Sequence, residues 1–164
     1  EMTSSLVGSE MCIRDSHIRT ENGDTASNRT YLTPDGDRYY KDDSWNGGVF
    51  SSFALSASDR ELLHLSDMVH TTFSGPNFND VIDCCREKRF PLSVDFDICR
   101  DFDTIEKHLD CISLLFISGD EPTLKKAKQL SAKYPDTVFI VTLGENGSTA
   151  FSKGTAYHLS LIHI

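Results

Sequence analysis

From about residue 57 onward, short apolar blocks alternate with stretches in which apolar residues recur at helical spacing. In SASDRELLHL, Leu62, Leu63 and Leu65 follow Ser58, and Glu61 stands three residues after that serine, which predicts a capping box and a helix. DMVHTTF predicts a short strand. In NFNDVIDCCREKR, Phe78, Val81, Ile82 and Cys85 share one helical face, and the bases fall in the last turn, where they complement the helix dipole. LSVDFD predicts a strand closing on two carboxylates, and DTIEKHLDC a helix capped by Asp103 with Glu106. ISLLFIS and TVFIVT are nearly unbroken apolar runs and predict buried strands. Between them, EPTLKKAKQLSAKY opens with Pro122, whose missing N–H costs nothing in a first turn, and lines Leu124, Ala127 and Leu130 along one side. STAFSKGTAYH predicts a closing hairpin.

Helix and strand thus alternate four times, and the strands are apolar throughout rather than at every second residue. This pattern predicts an α/β fold, a parallel sheet covered by helices on both faces. Ligands of such sheets bind at the carboxyl ends of the strands. The informative stretches are therefore Thr71 to Gly75, Asp95 to Asp97, Ser118 to Glu121 and Thr142 to Gly147. Upstream, RTYLTPDGDRYY sets alternating residues around the turn cluster Pro34-Asp35-Gly36-Asp37 and predicts a β-hairpin over about 29–40, at a domain edge or over a ligand. KDDSWNGGVFSS, with Gly47-Gly48, predicts a loop.

Charge narrows the partners. With 25 acids against 16 bases the formal charge is -9, and no basic stripe carries interleaved aromatics, so small molecules rather than nucleic acid are expected. No run approaches the roughly 20 apolar residues of a membrane helix, and no basic then hydrophobic leader opens the chain, so no membrane partner and a cytoplasmic location are expected. Cys12, Cys84, Cys85, Cys99 and Cys111 lack C-x-x-C spacing and are expected as free thiols, mostly buried. His64, His70 and His108 show no mutual spacing and are expected to be structural.

Chemistry concentrates in VTLGENGSTAF. Glycine at 144 and 147 permits positive φ and lets backbone N–H groups approach a phosphate or ribose. Spacing alone is equally satisfied by a tight turn between two strands. Asp95 and Asp97 either handle a metal or proton or serve as solvated loop acids and caps. Trp45, Tyr39 and Tyr40 flank the hairpin and suit either a sugar face or aromatic packing within a lid.

Together with LLFISGDEPTL and LSVDFD, the VTLGENGSTAF stretch resembles the ribokinase-like, or PfkB, family of carbohydrate kinases, and within it the branch acting on fructoselysine. The DGDRYY hairpin and FALSASDRELLHLSDMVHTTFSG fit that family's lid and first half-domain. The resemblance spans about His17 to His158, with T-L-G-x-x-G its locally specific motif. It implies a partial three-layer α/β/α sheet with a small β lid, and phosphoryl transfer from ATP, with Mg2+, to a hydroxyl of fructoselysine or a related ketose-amine. It also implies a homodimer formed through the lid. Thr142, Gly144 and Gly147 are implied at the nucleotide. The family's Asn-x-x-Glu motif falls on Ser118-Gly119-Asp120-Glu121, which implies Glu121 at magnesium through water. Ser118 replaces the usual Asn and has a shorter reach to the nucleotide. Asp120, before Pro122, suits the cap of the following helix.

The termini follow a different logic. MCIRDS, written as the codons ATG TGT ATA AGA GAC AG, has a reverse complement that translates to LSLIHI, the last six residues. LVGSEMCIRDS resembles the translated adaptor and transposon end of sequencing libraries. Residues 1–16 and 159–164 are therefore expected to be non-native flanks around a partial kinase domain over 17–158. Family members carry a G-A-G-D motif whose glycines stabilise the phosphoryl charge while its Asp accepts the hydroxyl proton. This chain has none, so it is expected to be inactive by itself, its catalytic Asp lying outside it. The absence of G-x-G-x-x-G argues against a dinucleotide-dependent oxidoreductase. A non-catalytic sugar- or nucleotide-binding protein on the same scaffold is the alternative.

Overall fold

A computed structural model describes residues 19–36 and 38–160. The chain forms two compact units, one through Phe53 and one from Ala54. The expected non-native residues 1–16 lie outside the described residues, as do 161–164.

The first unit is a set of short antiparallel ribbons: β1 (Ser27–Asn28) pairs with β4 (Trp45–Asn46), and β2 (Tyr31–Leu32) with β3 (Arg38–Tyr39). The predicted hairpin over 29–40 is present in shortened form as β2 and β3, turning where the Gly36 N–H donates to the Thr33 carbonyl at 3.0 Å. Tyr31 and Tyr39 stack at 5.4 Å, and the Lys41 ammonium sits 4.1 Å from the Tyr31 ring centre. The predicted loop after it holds β4 and a 3-10 turn over Gly48–Ser52. Buried Ser44 explains that order: its Oγ accepts from the Lys41 N–H at 2.7 Å and its carbonyl from the Arg29 N–H at 2.8 Å.

The second unit is built on a six-stranded sheet. Strands β5 (Val69–Thr72), β6 (Leu92–Asp95), β7 (Leu114–Ser118) and β8 (Val138–Thr142) run parallel in chain order. Antiparallel β9 (Ser148–Ser152) and β10 (Thr155–Leu159) close it on the β8 side. Lys153 and Gly154, both at positive φ, give the β9–β10 turn the twist a two-residue hairpin favours. Leu159, expected to be flanking sequence, is the last residue of β10 and pairs with Ser148.

Helices α1 (Ala57–Leu65), α2 (Phe78–Glu87), α3 (Phe102–Glu106) and α4 (Glu121–Lys133) accompany the sheet. Parallel strands laid down in sequential order need right-handed crossovers, which set the connecting helices along one face. On that face Val94, Leu115, Ile117, Phe139 and Val141 are almost fully buried and join Ile82, Cys85, Ile105 and Leu130 in one core. Removing Phe139 to Ala would cost about 3–5 kcal/mol on the usual scale of buried aromatics. On the opposite face Leu114, Phe116, Val138 and Ile140 remain half-buried. Strands β7 and β8 are thus apolar on both sides, as the sequence predicts for a three-layer fold, whereas β5 and β6 carry His70, Thr72, Ser93 and Asp95 on their second side; the described residues of this unit bury one side.

Two helix starts differ from expectation. Helix α1 is capped by Ser56, whose Oγ accepts from the Asp59 N–H at 3.2 Å while Asp59 accepts from the Ser56 N–H at 2.7 Å, in place of Ser58 and Glu61. Helix α3 is capped by Asp101 accepting from the Thr104 N–H at 3.1 Å, in place of Asp103. Each shift is of two residues, because several Ser and Asp residues compete and the helix begins where Leu63 or Ile105 reaches the core. Glu106 is then free to accept from Lys133 Nζ at 2.6 Å and from the Tyr134 hydroxyl at 3.2 Å. Among the described residues, no helix is long and apolar enough to cross a membrane.

His108 ties the core to pH. Burial, then the nearby Arg86, holds its imidazole below the ordinary histidine pKa, and its ring meets Phe78 edge-on at 5.4 Å. Because the folded pKa is depressed, protonation favours the unfolded chain. Its contribution is complete above the unfolded value of about 6.5 and is lost as pH falls through that range. Urea unfolding midpoints from pH 8 to pH 5 should fall more steeply for the native protein than for His108→Gln.

Candidate functional site

The carboxyl ends of the parallel strands gather the polar residues that the sequence marked. Register places Ser118 beside Thr142, and their hydroxyl oxygens stand 3.4 Å apart, with Thr142 Oγ1 donating. The Gly119 N–H donates to the Thr142 carbonyl at 3.0 Å, so the ladder runs one residue past the end of β7. Gly119 has to be small: a Cβ there would press on Val141 at 2.6 Å and on Thr123 at 2.7 Å. Asp120 is a cap, as expected. Its Oδ1 accepts from the Thr123 N–H at 3.0 Å and the Thr123 hydroxyl at 2.6 Å, and these bonds, the hydroxyl's first, hold its carboxyl below the usual pKa. Glu121 is exposed in the first turn of α4.

The two glycines of T-L-G-x-x-G separate by role. Gly144 opens a short 3-10 turn at φ +58, and a Cβ on it would meet nothing within 4 Å. Its left-handed backbone faces open space, as close approach of a ligand requires. Gly147 is buried at φ 82 and ψ -138, its N–H donating to the Gly144 carbonyl at 3.1 Å and its own carbonyl accepting from Leu143 at 2.8 Å. A Cβ on Gly147 would collide with the Leu159 carbonyl oxygen of β10. The tight-turn reading therefore holds at Gly147, and the space beside Gly144 is open.

A cavity of about 320 Å³ opens beside Ser118 and Thr142, lined also by His70, Asp95, Phe116 and Ile117. His70 is an exposed residue at this cavity, its Nδ1 3.0 Å from the Ser93 Oγ. Its place follows from its pairing with Ser93 in β6, which spacing along the chain does not reveal. Asp95 accepts from the Asp97 N–H at 2.8 Å, and Asp97 holds a left-handed φ of 50, a conformation Asp tolerates better than most residues. The Asp97 carbonyl in turn accepts from Ser118 at 2.8 Å, which joins the β6 and β7 tips. Among the described residues, no group of three or more His, Cys, Asp or Glu gathers to hold a metal ion directly.

A larger cavity, about 420 Å³, lies at the opposite end of the strands around Arg89, Asp110, Cys111 and Tyr134. Burial, then the neighbouring Cys85, pushes the Cys111 thiol up to about 12, so it is an unreactive packing group. Cys84 and Cys85 are likewise buried and free, and Cys99 is half-buried.

The chain is 34% identical over 139 residues to the fructoselysine 6-kinase of Escherichia coli (strain K12), and matches that of Shigella flexneri to the same degree. The match takes in 83% of the chain and 51% of either relative, so the chain spans about half the length of the curated relatives it matches. No family profile matches. Among solved structures, the Arabidopsis thaliana ribokinase complexed with ribose and ATP aligns over 86% of the chain and 50% of its own, with a TM-score of 0.61 at 19% identity. The Burkholderia thailandensis nucleoside kinase in complex with inosine aligns over 92% and 51%, with a TM-score of 0.65 at 11% identity. These likenesses establish the fold.

The division between the glycines is measurable. Gly147→Ala should destabilise the protein by about 1–3 kcal/mol from its backbone conformation alone, and further through the collision with β10. Gly144→Ala should cost about 1–2 kcal/mol, since only the left-handed penalty applies. Urea titrations of the two variants report the difference directly.

Proposed function

From a chain that is a fructoselysine 6-kinase homologue with the ribokinase-like fold, we propose that these residues are one half of an ATP-dependent carbohydrate kinase. The reaction is transfer of the ATP γ-phosphate to a hydroxyl of fructoselysine or a related ketose-amine. The observation that carries this reading is the joined corner of Ser118, Thr142 and open Gly144 at the strand tips, beside the first turn of α4. Two hydroxyls and a left-handed backbone segment offer donors to phosphate or ribose oxygens, and no Cβ stands in the way. The donor set fits a nucleotide.

The residues present also suit magnesium held through water. Glu121 is an exposed carboxylate in the first turn of α4, and no direct ligand cluster forms among the described residues. Magnesium, when bound, would neutralise charge on the transferring phosphoryl group. Ser118 and Thr142 orient phosphate oxygens, and Asp120 fixes the start of α4 so that Glu121 is presented outward. Phosphoryl transfer depends mostly on positioning and electrostatic stabilisation. The proton acceptor and the glycine-framed anion hole are assigned to the other half of the protein, so residues 17–158 alone should not transfer phosphate. In this reading the exposed Leu32, Tyr39, Tyr40 and Trp45 of the first unit supply a surface for a second copy, and the enzyme works in the cytoplasm.

In the intact protein, Gly144→Phe should raise the ATP KM at least about tenfold, the scale of one lost interaction of about 1.4 kcal/mol. Glu121→Gln should lower kcat about 10- to 100-fold, as groups supporting a metal do. Steady-state kinetics with fructoselysine as acceptor checks both. An unaltered ATP KM in a folded Gly144→Phe protein would overturn the nucleotide assignment.

A further inference from the structure

The face of the sheet opposite the core changes character halfway across. Strands β7 and β8 present Phe116 and Ile140 there, whereas β5 and β6 present His70, Thr72, Ser93 and Asp95. A helix laid on the polar half would strand those side chains away from water without partners, which is unfavourable. Parallel sheets are covered on both faces, so the polar half marks where the cover leaves room. The cavity of about 320 Å³ lies across this boundary, lined in strand order by His70 on β5, Asp95 on β6, Phe116, Ile117 and Ser118 on β7, and Thr142 on β8.

The polar end has atoms to spare. Ser93 is buried, and its Oγ stands 3.0 Å from His70 Nδ1, which fixes the imidazole and leaves Nε2 without a protein partner among the described residues. Asp95 commits Oδ1 to the Asp97 N–H at 2.8 Å and keeps Oδ2. No lysine or arginine lines the cavity, so Asp95 would repel a phosphate and favours a neutral partner that donates hydrogen bonds. A carboxylate, an imidazole and an aromatic ring on one wall suit a sugar, whose hydroxyls take the polar groups and whose C–H face takes the ring.

We propose that the ketose part of the acceptor lies in this cavity, with Asp95 Oδ2 and His70 Nε2 on its hydroxyls and Phe116 against its carbon skeleton. The proposal rests on the kinase reading above and deepens it, since the phosphate corner supplies no group for the acceptor. The backbones of Asp95 and Ser118 lie one strand and two residues apart, about 8 Å by strand spacing and rise. A sugar held at Asp95 therefore presents a hydroxyl to a phosphoryl group held at Ser118 and Thr142.

The test uses the intact protein with fructoselysine and its 3-deoxy and 4-deoxy analogues as acceptors. Asp95→Asn keeps an oxygen for the Asp97 N–H and should raise the acceptor KM about 10- to 100-fold, the scale of a hydrogen bond to a charged group, with the ATP KM unchanged. His70→Ala should raise the acceptor KM about tenfold, and His70→Gln should restore part of the loss. One deoxy analogue should lose in the native protein about what Asp95→Asn loses, and the two losses should not add. Melting temperatures of the variants report folding. A measurement without variants stands beside these: fructoselysine should protect His70 of the native protein from diethylpyrocarbonate, read by peptide mass mapping, and ATP alone should not. An unchanged acceptor KM in the folded variants, additive losses for both analogues, or an unprotected His70 would overturn this proposal and leave the kinase reading standing. Absence of phosphate transfer to fructoselysine by the native protein would overturn the kinase reading and the proposal together.

Discussion

The register between β7 and β8 governs both the core and the candidate site. Leu115 lies beside Phe139, Ile117 beside Val141, and Ser118 beside Thr142. Side chains alternate across a sheet, so a slip of one residue would turn Leu115 and Ile117 out of the core and carry Ser118 to the helix-covered face. Hydrophobic burial therefore fixes the positions of the two hydroxyls. Nothing further is needed to aim them, since the strand ends where the apolar run ends and Gly119 lets the chain leave close against Val141 and Thr123.

At the tips, the two glycines of one short motif meet different surroundings. Gly147 is required by the strand that returns past it, and Gly144 by its own left-handed backbone facing open space. Asp120 holds the start of α4, which leaves Glu121 outside and exposed. Asp95, Asp97 and Ser118 are linked through backbone bonds that brace two strand ends. A site assembled from strand ends and a helix cap is rigid without burying charge, in keeping with the largely exposed carboxylates around it.

The sheet carries more apolar surface than one layer of helices covers. Half-buried Leu114, Phe116, Val138 and Ile140 lie on the face opposite the core, and the chain spans about half of the relatives it matches. Parallel sheets occur almost only with both faces covered. The apolar character of these strands on both sides belongs to the three-layer fold as a whole, and the described residues supply two of its layers.

Much of this was legible in the sequence because it rests on local periodicity. Phe78, Val81, Ile82 and Cys85 announced α2, Pro122 and Asp120 the start of α4, and two unbroken apolar runs the central strands. The exact caps of α1 and α3 were not legible, because neighbouring Ser and Asp residues are chemically equivalent until a core contact selects among them. The sequence by itself determined the elements, their order and the residue types at the strand tips. Tertiary structure alone decided that His70 joins Asp95 at a cavity, and that Gly147 packs against β10 while Gly144 stays open. Those relations join residues on different strands or far apart in the chain, and pairing register, which no single segment encodes, is what brings them together.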